Sequence, residues 1–214
     1  MPAGRTPRLF LLSPSHAGGD RAALLLRPGS ALPLARAVQS AGAPLGEVFE
    51  FTSGLYFRGK LAYAQAFARP PRGVPGALVI TAGAGLVPPE ARVTTAHLRA
   101  FAAVPIDPTD TRYRAPLERD VRALCEAAPR GEVVLLGSVA SGKYVDVLLA
   151  LLGERLLFPG DFVGRGDMSR GGLLLRCARA GVELDYVPVM GAVRHGARPP
   201  RPPRLPPLPR RGAR

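Results

Sequence analysis

The sequence predicts an α/β protein, a single three-layer domain in which a largely parallel or mixed sheet is flanked by helices. Short apolar runs that suit buried strands recur along the chain, and segments with helical periodicity separate them. Several of these runs lead directly into glycine-rich or polar turns, as strands do in α/β proteins. The 214 residues, 47% of them hydrophobic, are enough for one substantial core.

The predicted strands are short runs rich in apolar residues. ALVIT is the clearest of them, and the alternation in EVFEF favours a strand there as well. Pro188 predicts that the last strand lies at a sheet edge, because proline cannot donate a ladder hydrogen bond. In chain order the predicted strands cover residues 8–12, 47–51, 77–81, 133–136, 155–159 and 182–189.

The predicted helices follow from apolar spacing and from capping residues. Residues 116–128 carry the clearest stripe, in which Leu117, Val121 and Leu124 lie on one face. Gly181 is well placed to end the last helix. In chain order the predicted helices cover residues 20–26, 34–40, 58–68, 95–103, 116–128, a segment from about 144, and 173–180.

The last 24 residues differ in composition from the rest of the chain. Residues 191–214 contain seven Arg, no acidic residue and many prolines, so we expect a disordered Pro/Arg-rich tail after an α/β domain at 1–190. PPRPPRLPPLP has the form of a ligand for polyproline-binding domains. A protein partner bound through the tail is therefore one hypothesis, and a solubilising or nucleic-acid-binding arm is the other.

The charge of the chain favours anionic partners. The net charge is +13, and residues 1–190 contain 22 basic and 16 acidic side chains. DNA or RNA, or a small phosphorylated ligand, is the expected partner of such a surface. Arginine, alanine, glycine and proline are all abundant, so a GC-rich coding sequence is an alternative source of the arginine excess.

The composition also argues against several classes of protein. No apolar run approaches the roughly 20 residues of a membrane span, and the N-terminus lacks a secretory apolar run of about 7–15 residues. We therefore expect a soluble, cytoplasmic protein with no membrane partner. Cys125 and Cys177 lack metal-ligand spacing and are expected to be reduced thiols. His16, His97 and His195 are far apart, so no metal or cofactor is predicted.

The loops that follow the predicted strands are the expected functional site. In a parallel sheet they emerge at one edge, where ligands of open α/β sheets bind. Their glycines let backbone N–H groups approach a ligand, and their hydroxyls and cations suit phosphate. The predicted ligand or phosphate-binding residues are Arg58, Lys60, Gly83, Gly85, Ser138, Gly142, Lys143, Arg165, Ser169 and Arg170.

The segment GSVASGKY permits a second interpretation. Gly137, Gly142 and Lys143 have the spacing of a phosphate-binding P-loop between a strand and a helix. The motif requires Ser or Thr next, as a magnesium ligand, and Tyr144 stands there instead. A P-loop-like NTPase is therefore kept as an alternative.

Catalytic residues are not defined by a motif in this sequence. Ser13, His16, Ser141 and Tyr144 are candidates because hydroxyls and a histidine lie in the turns that follow strands. There is no G-x-S-x-G nucleophile elbow. A hydrolase or transferase acting on a small phosphorylated or nucleotide substrate is the corresponding alternative to a binding protein.

Several segments resemble the YaaA-like peroxide-stress proteins and related small bacterial domains. They are LLSPSHAGG, SGLYFRGKLAYA, LVITAGAGLVPPE, the following PID, and VASGKY, whose tyrosine is similar to that in a family L-A-S-x-x-Y segment. The resemblance spans roughly residues 9–189, without the 165–170 segment or the tail. It implies an α/β fold, a cytoplasmic setting and a link to DNA and oxidative stress.

Overall fold

The strands form one main sheet. The computed structural model describes residues 6–15, 18–140, 142–197 and 199–200. Within them the strands are β1 (Arg8–Leu12), β2 (Ala43–Pro44), β3 (Ala77–Thr81), β4 (Gly85–Val87), β5 (Arg92–Val93), β6 (Glu132–Leu136), β7 (Leu156–Pro159) and β8 (Tyr186–Pro188). Six of these make a mixed sheet in the order β4-β3-β1-β6-β7-β8, and β2 pairs with β5.

The central strands of the main sheet are parallel. β1 pairs in parallel with both β3 and β6, and β6 pairs in parallel with β7. β4 and β8 are antiparallel and occupy the two edges. β1 and β6 have the burial pattern of one intermediate residue followed by four buried residues, as expected for strands covered on both faces.

Helices cover the sheet. They are α1 (Asp20–Leu26), α2 (Pro33–Gln39), α3 (Leu45–Ser53), α4 (Leu55–Phe67), α5 (Thr95–Ala102), α6 (Thr111–Ala127), α7 (Gly142–Leu152) and α8 (Asp167–Ala180). Short 3₁₀ turns at Gly153–Arg155 and Gly160–Phe162 precede and follow β7. Gly181 ends α8 in the left-handed conformation, with a φ of 65°.

The helices lie in two layers, one on each face of the sheet. Successive residues of β1 point to opposite faces. Phe10 packs edge-on against Tyr63 of α4, at 5.8 Å between ring centroids, while Leu9 lies beside Ala128 at the end of α6. α8 packs on α4, and α7 packs on α6. The predicted three-layer α/β architecture is confirmed.

The order of the strands creates a crevice between β1 and β6. The chain leaves β1 toward β3 on one side and leaves β6 toward β7 on the other side. The connections therefore diverge above the carboxyl ends of these two neighbouring strands. Such a switch point is the place where open α/β sheets bind ligands.

Two local predictions are wrong. Residues 47–51 belong to helix α3, because Leu45, Val48 and Phe49 are buried at helical spacing that a five-residue window does not reveal. The last helix, predicted at 173–180, instead begins at Asp167. Ser169 and Arg170 are thus helical residues.

Helices α4 and α8 approach each other closely through two glycines. A Cβ atom on Gly59 would lie 2.6 Å from the Gly171 carbonyl oxygen, and one on Gly171 would lie 2.8 Å from the Leu55 oxygen. Glycine is therefore required at this crossing for packing rather than for backbone conformation. The contact brings Tyr56 and Lys60 of α4 next to the first turns of α8.

The described part of the tail has no helix or strand. Arg165 donates to the carbonyl of Pro200 at 3.3 Å, and Gly164 lies against Ala197, so this segment runs along the end of the β7–α8 connection. Residues 201–214 lie outside the described residues, as does most of the polyproline-like segment. Within the described ranges, no helix is long and apolar enough to cross a membrane.

Candidate functional site

The amino ends of the parallel strands carry ion-paired side chains, whereas the carboxyl ends border a cleft. At the amino ends Arg8 forms ion pairs with Glu132 and Glu183, both at 2.6 Å, and Arg69 also pairs with Glu183. These ion pairs tie β1 and β6 to the segment that precedes β8. The carboxyl ends of the strands instead open into a cleft.

The cleft at the carboxyl ends of β1 and β6 consists of two adjoining cavities of about 420 and 410 Å³. We refer to both together as the switch-point cleft. The two cavities share Pro14, Ser15, Ile106 and Lys143. Its first cavity is further lined by Ser13, Ser53, Tyr56, Lys60, Ser138, Tyr144 and Asp167, and its second by Gly18, Phe49, Ala82, Phe101, Ala102, Val104, Pro105 and Asp107. A volume of this order suits a small-molecule ligand.

Lys60 lies at the floor of the cleft and is only 1% exposed. Its Nζ donates to the Ser13 carbonyl oxygen at 2.6 Å and contacts the Ser13 Oγ at 2.9 Å. The same nitrogen lies 4.6 Å and 4.9 Å from the ring centroids of Tyr56 and Phe57. Burial lowers the pKa of the Lys60 ammonium to about 7, against the opposing effect of the Asp167 carboxylate.

Tyr144 closes the other side of Ser13. Its hydroxyl accepts a hydrogen bond from the Ser138 N–H at 2.9 Å. A side chain on Gly137 would meet the Ser13 Cβ at 2.8 Å and the Tyr144 hydroxyl at 2.9 Å, so the absence of a Cβ lets these two groups come together. Burial raises the pKa of Tyr144, although the Ser138 N–H and the Ser13 side chain oppose the rise.

A chain of hydroxyls runs along a second wall of the cleft. Ser53 donates to the Ser15 Oγ at 2.6 Å, and Ser15 and Thr52 share a hydrogen bond of the same length. Thr52 is anchored to the carbonyl of Val48 within α3. These contacts hold the turn after β1 against the end of α3.

Tyr56 carries an unsatisfied hydroxyl at the cleft. The side chain is 8% exposed, and its hydroxyl has no hydrogen-bond partner among the described residues. Burial raises its pKa, while the positive charge of the nearby Arg170 opposes the rise. The Arg170 Nε–H and Nη2–H groups are directed at the Phe162 carbonyl, so this guanidinium is a neighbour of the Tyr56 hydroxyl and makes no hydrogen bond of normal geometry to it. A buried polar group without a partner is destabilising, and Tyr56 lines the cleft, so a ligand that reaches this hydroxyl would satisfy it.

Arg170 supports the cleft from behind. It is 7% exposed, and its Nε and Nη2 donate to the Phe162 carbonyl at 3.3 and 3.1 Å. Its Nη1 lies 3.6 Å from the Asp167 carboxylate, which itself lines the cleft. All three nitrogens of the Arg170 guanidinium therefore contact other residues of the protein.

The structure brings together only part of the predicted site. Ser13, Lys60, Ser138, Lys143 and Tyr144 all line the switch-point cleft. Gly142 starts α7 beside Lys143, and Arg170 lies behind the lining. His16 and Ser141 lie outside the described residues.

The other predicted residues are not among those that line the cleft. Arg58 is exposed elsewhere on α4, and Arg165 donates to the Asp161 carbonyl and to Ser169. Gly83 packs against Val104. Gly85 faces Asp120 of α6, whose carboxylate also accepts the Leu86 N–H. These two glycines thus serve the β3–β4 turn.

Sequence reasoning missed several polar residues of the cleft, among them Ser53, Tyr56, Asp107 and Asp167. The available signal was spacing, because Tyr56 precedes Lys60 by four positions and so lies on the same helix face. Ser15 was considered as a nucleophile beside His16, and Ser53 belongs to a polar segment that was already singled out. Nothing in the sequence indicated that Asp167 would reach the cleft, because its position depends on how α8 crosses α4.

No family model, curated protein or solved structure matches this chain. The residues described by the structure contain no group of three His, Cys, Asp or Glu side chains positioned to hold a metal ion. The resemblance to the YaaA-like proteins therefore stays a prediction, and the interpretation of the cleft depends on its own chemistry.

Proposed function

We propose that this protein binds a small, phosphate-bearing, nucleotide-like ligand in the switch-point cleft. The observation that carries the proposal is the Tyr56 hydroxyl, which is buried at the cleft and has no partner among the described residues. A ligand oxygen that accepts from this hydroxyl would remove the cost of an unmade hydrogen bond.

The charges around the cleft favour a ligand that carries hydrogen-bond donors as well as phosphate. Lys143 is exposed in the first turn of α7, where a cation and the helix dipole both favour an anion. Asp107 and Asp167 line the same cleft and accept hydrogen bonds only. A nucleotide-like ligand, which has an anionic end and hydroxyl or amino donors, matches both kinds of group.

Replacing Tyr56 with phenylalanine tests the proposal directly. Tyr56→Phe should leave the free protein as stable as the wild type or slightly more so, because it removes an unsatisfied group. The same change should weaken nucleotide binding by about tenfold or more, as expected for loss of a hydrogen bond to a charged group. A thermal-shift titration with nucleoside mono-, di- and triphosphates measures both effects, since a bound ligand stabilises by RT ln(1 + [L]/Kd).

Tyr113→Phe is a matched control. Tyr113 is fully buried and, like Tyr56, has an unsatisfied hydroxyl, but it lies on α6 and does not line the cleft. Its replacement should leave nucleotide affinity unchanged. Equal losses in the two variants, or no thermal shift with any nucleotide, would exclude the proposed ligand site.

Nucleic acid is the second candidate, and the net charge of +13 favours it. Lys143→Ala and Arg58→Ala distinguish the two because each removes one exposed cation, but only Lys143 lines the cleft. A small-ligand site predicts weaker nucleotide binding in Lys143→Ala alone. Nucleic-acid binding through surface charge predicts that both variants weaken DNA binding, with a salt slope reduced by about one each. Fluorescence anisotropy with a labelled duplex at several salt concentrations makes the measurement.

A further inference from the structure

Ser13 and Lys60 form a pair that the proposed binding function does not require. Ser13 Oγ lies 2.9 Å from the Lys60 Nζ, and the Ser13 carbonyl, at 2.6 Å, fixes the orientation of the same nitrogen. Both side chains line the cleft although both are almost fully buried. A serine hydroxyl in hydrogen-bond contact with a base at the floor of a cleft is the arrangement of an activated nucleophile.

The surroundings of Lys60 favour its neutral form. It makes no ion pair in the described part of the chain, and two aromatic rings and the Ser13 oxygens surround it. The other charged or titratable groups near it are Tyr56 on its own helix, Asp167 and Arg170 on α8, and Tyr144 on α7. A pKa of about 7 makes the free amine available at neutral pH, whereas an ordinary lysine remains protonated.

We propose that Ser13 is the nucleophile and Lys60 the general base of a serine–lysine dyad that hydrolyses a carboxylic ester bound in the switch-point cleft. This activity goes beyond ligand binding and does not need phosphate on the substrate. Tyr144 also borders Ser13, and its hydroxyl supplies a hydrogen-bond donor there. Its hydroxyl stays protonated, because burial raises its pKa.

The reaction proceeds in two balanced steps. In the first, the Ser13 Oγ adds to the ester carbonyl carbon and gives its proton to the Lys60 amine. The bond from carbon to the alcohol oxygen then breaks, and the leaving oxygen takes the proton from Lys60. In the second, water adds to the acyl carbon as Lys60 takes a proton from it. The bond to Oγ breaks, and Oγ recovers the proton, releasing a carboxylic acid.

A fluorophosphonate probe tests the nucleophile without knowledge of the natural substrate. The Ser13 oxygen should displace fluoride, which leaves as hydrogen fluoride, and peptide mapping by mass spectrometry should find the adduct on Ser13. Ser13→Ala should abolish labelling. Ser40→Ala, which removes an exposed serine hydroxyl at the end of α2, should label like the wild type. An adduct on another residue, or none, overturns the proposal.

The pH dependence tests the base in the unmodified protein. The labelling rate should rise as the pH passes through about 7 and then level off, because only the neutral amine accepts the serine proton. Lys60→Met should slow labelling by about 100-fold or more at pH 8, as expected for loss of a general base. A rate that is unaffected by Lys60→Met, or that has no inflection near pH 7, contradicts the dyad.

Turnover of a synthetic ester tests hydrolysis itself and separates this activity from nucleotide binding. Wild-type protein should hydrolyse 4-nitrophenyl butyrate, and Ser13→Ala should not. Labelling without turnover excludes ester hydrolysis. The two proposals fail separately. Labelling of Ser13 without a thermal shift from any nucleotide excludes the nucleotide site alone, and nucleotide binding without labelling of Ser13 excludes the dyad alone.

Discussion

Replacing Gly171 with alanine is expected to destabilise the protein by about 3 kcal/mol, at the upper end of the range for overpacked cores. The new Cβ would lie 2.8 Å from both the Leu55 oxygen and the Tyr56 Cα, and 3.0 Å from the Leu55 carbonyl carbon. All three are backbone atoms of α4, so no side-chain rotation relieves the contact. Urea unfolding followed by circular dichroism measures the change.

Gly172→Ala is the matched control for this prediction. Gly172 is the next residue of α8, and the nearest atom to its missing Cβ is the flexible Arg176 Nη2, at 3.5 Å. Because alanine is a better helix former than glycine, this variant should be more stable by about 0.5–1 kcal/mol. Similar stability of the two variants would show that α4 and α8 do not cross through these glycines.

Replacing Lys60 with methionine is expected to remove a pH dependence of stability between pH 7 and 9. The ordinary lysine pKa is 10.5, and burial lowers it to about 7 in the folded protein. In this window the unfolded chain therefore binds a proton that the folded protein has released, so the free energy of unfolding rises with pH. The rise from this group is about 2 kcal/mol, because one pKa unit corresponds to about 1.4 kcal/mol.

Unfolding at a series of pH values between 7 and 9 makes the comparison. Lys60→Met should lose the rise, whereas Lys143→Met, which removes the exposed lysine of α7, should keep it. Tyr63, whose pKa burial raises to about 12, titrates above this window and does not contribute. A slope that is the same in Lys60→Met and the wild type would mean that Lys60 is solvated and charged in the folded protein.

Much of the framework was predictable from local sequence. The apolar runs at β1, β3, β6 and β7 are confirmed as strands, and the turns after them meet at one sheet edge because those strands are parallel. Helix α6 was predicted from its apolar stripe, although it begins at Thr111 and contains Pro116. The segment at 47–51 failed because five residues are too few to separate helical from strand periodicity.

The roles of the basic residues were not predictable in the same way. A lysine and an arginine in glycine-rich segments were interpreted as groups that face a phosphate. Lys60 and Arg170 are instead buried, one against Ser13 and the other against the Phe162 carbonyl. Gly59 lies in the helix predicted at 58–68, and Gly171 lies before the helix predicted at 173–180, but neither prediction indicated that these two glycines allow α4 and α8 to touch.

The sequence by itself determined the strand runs, their α/β class and the sheet edge at which polar residues collect, because these depend on short-range periodicity and on the parallel direction of the strands. Only the tertiary structure decided which polar residues share the cleft and which of them lose contact with water. The crossing of α4 and α8 joins residues more than 100 positions apart in the chain. That crossing places Asp167 and Arg170 beside Tyr56 and Lys60 of α4, while the packing of α4 on β1 buries Lys60 against Ser13 instead of leaving it free to contact phosphate.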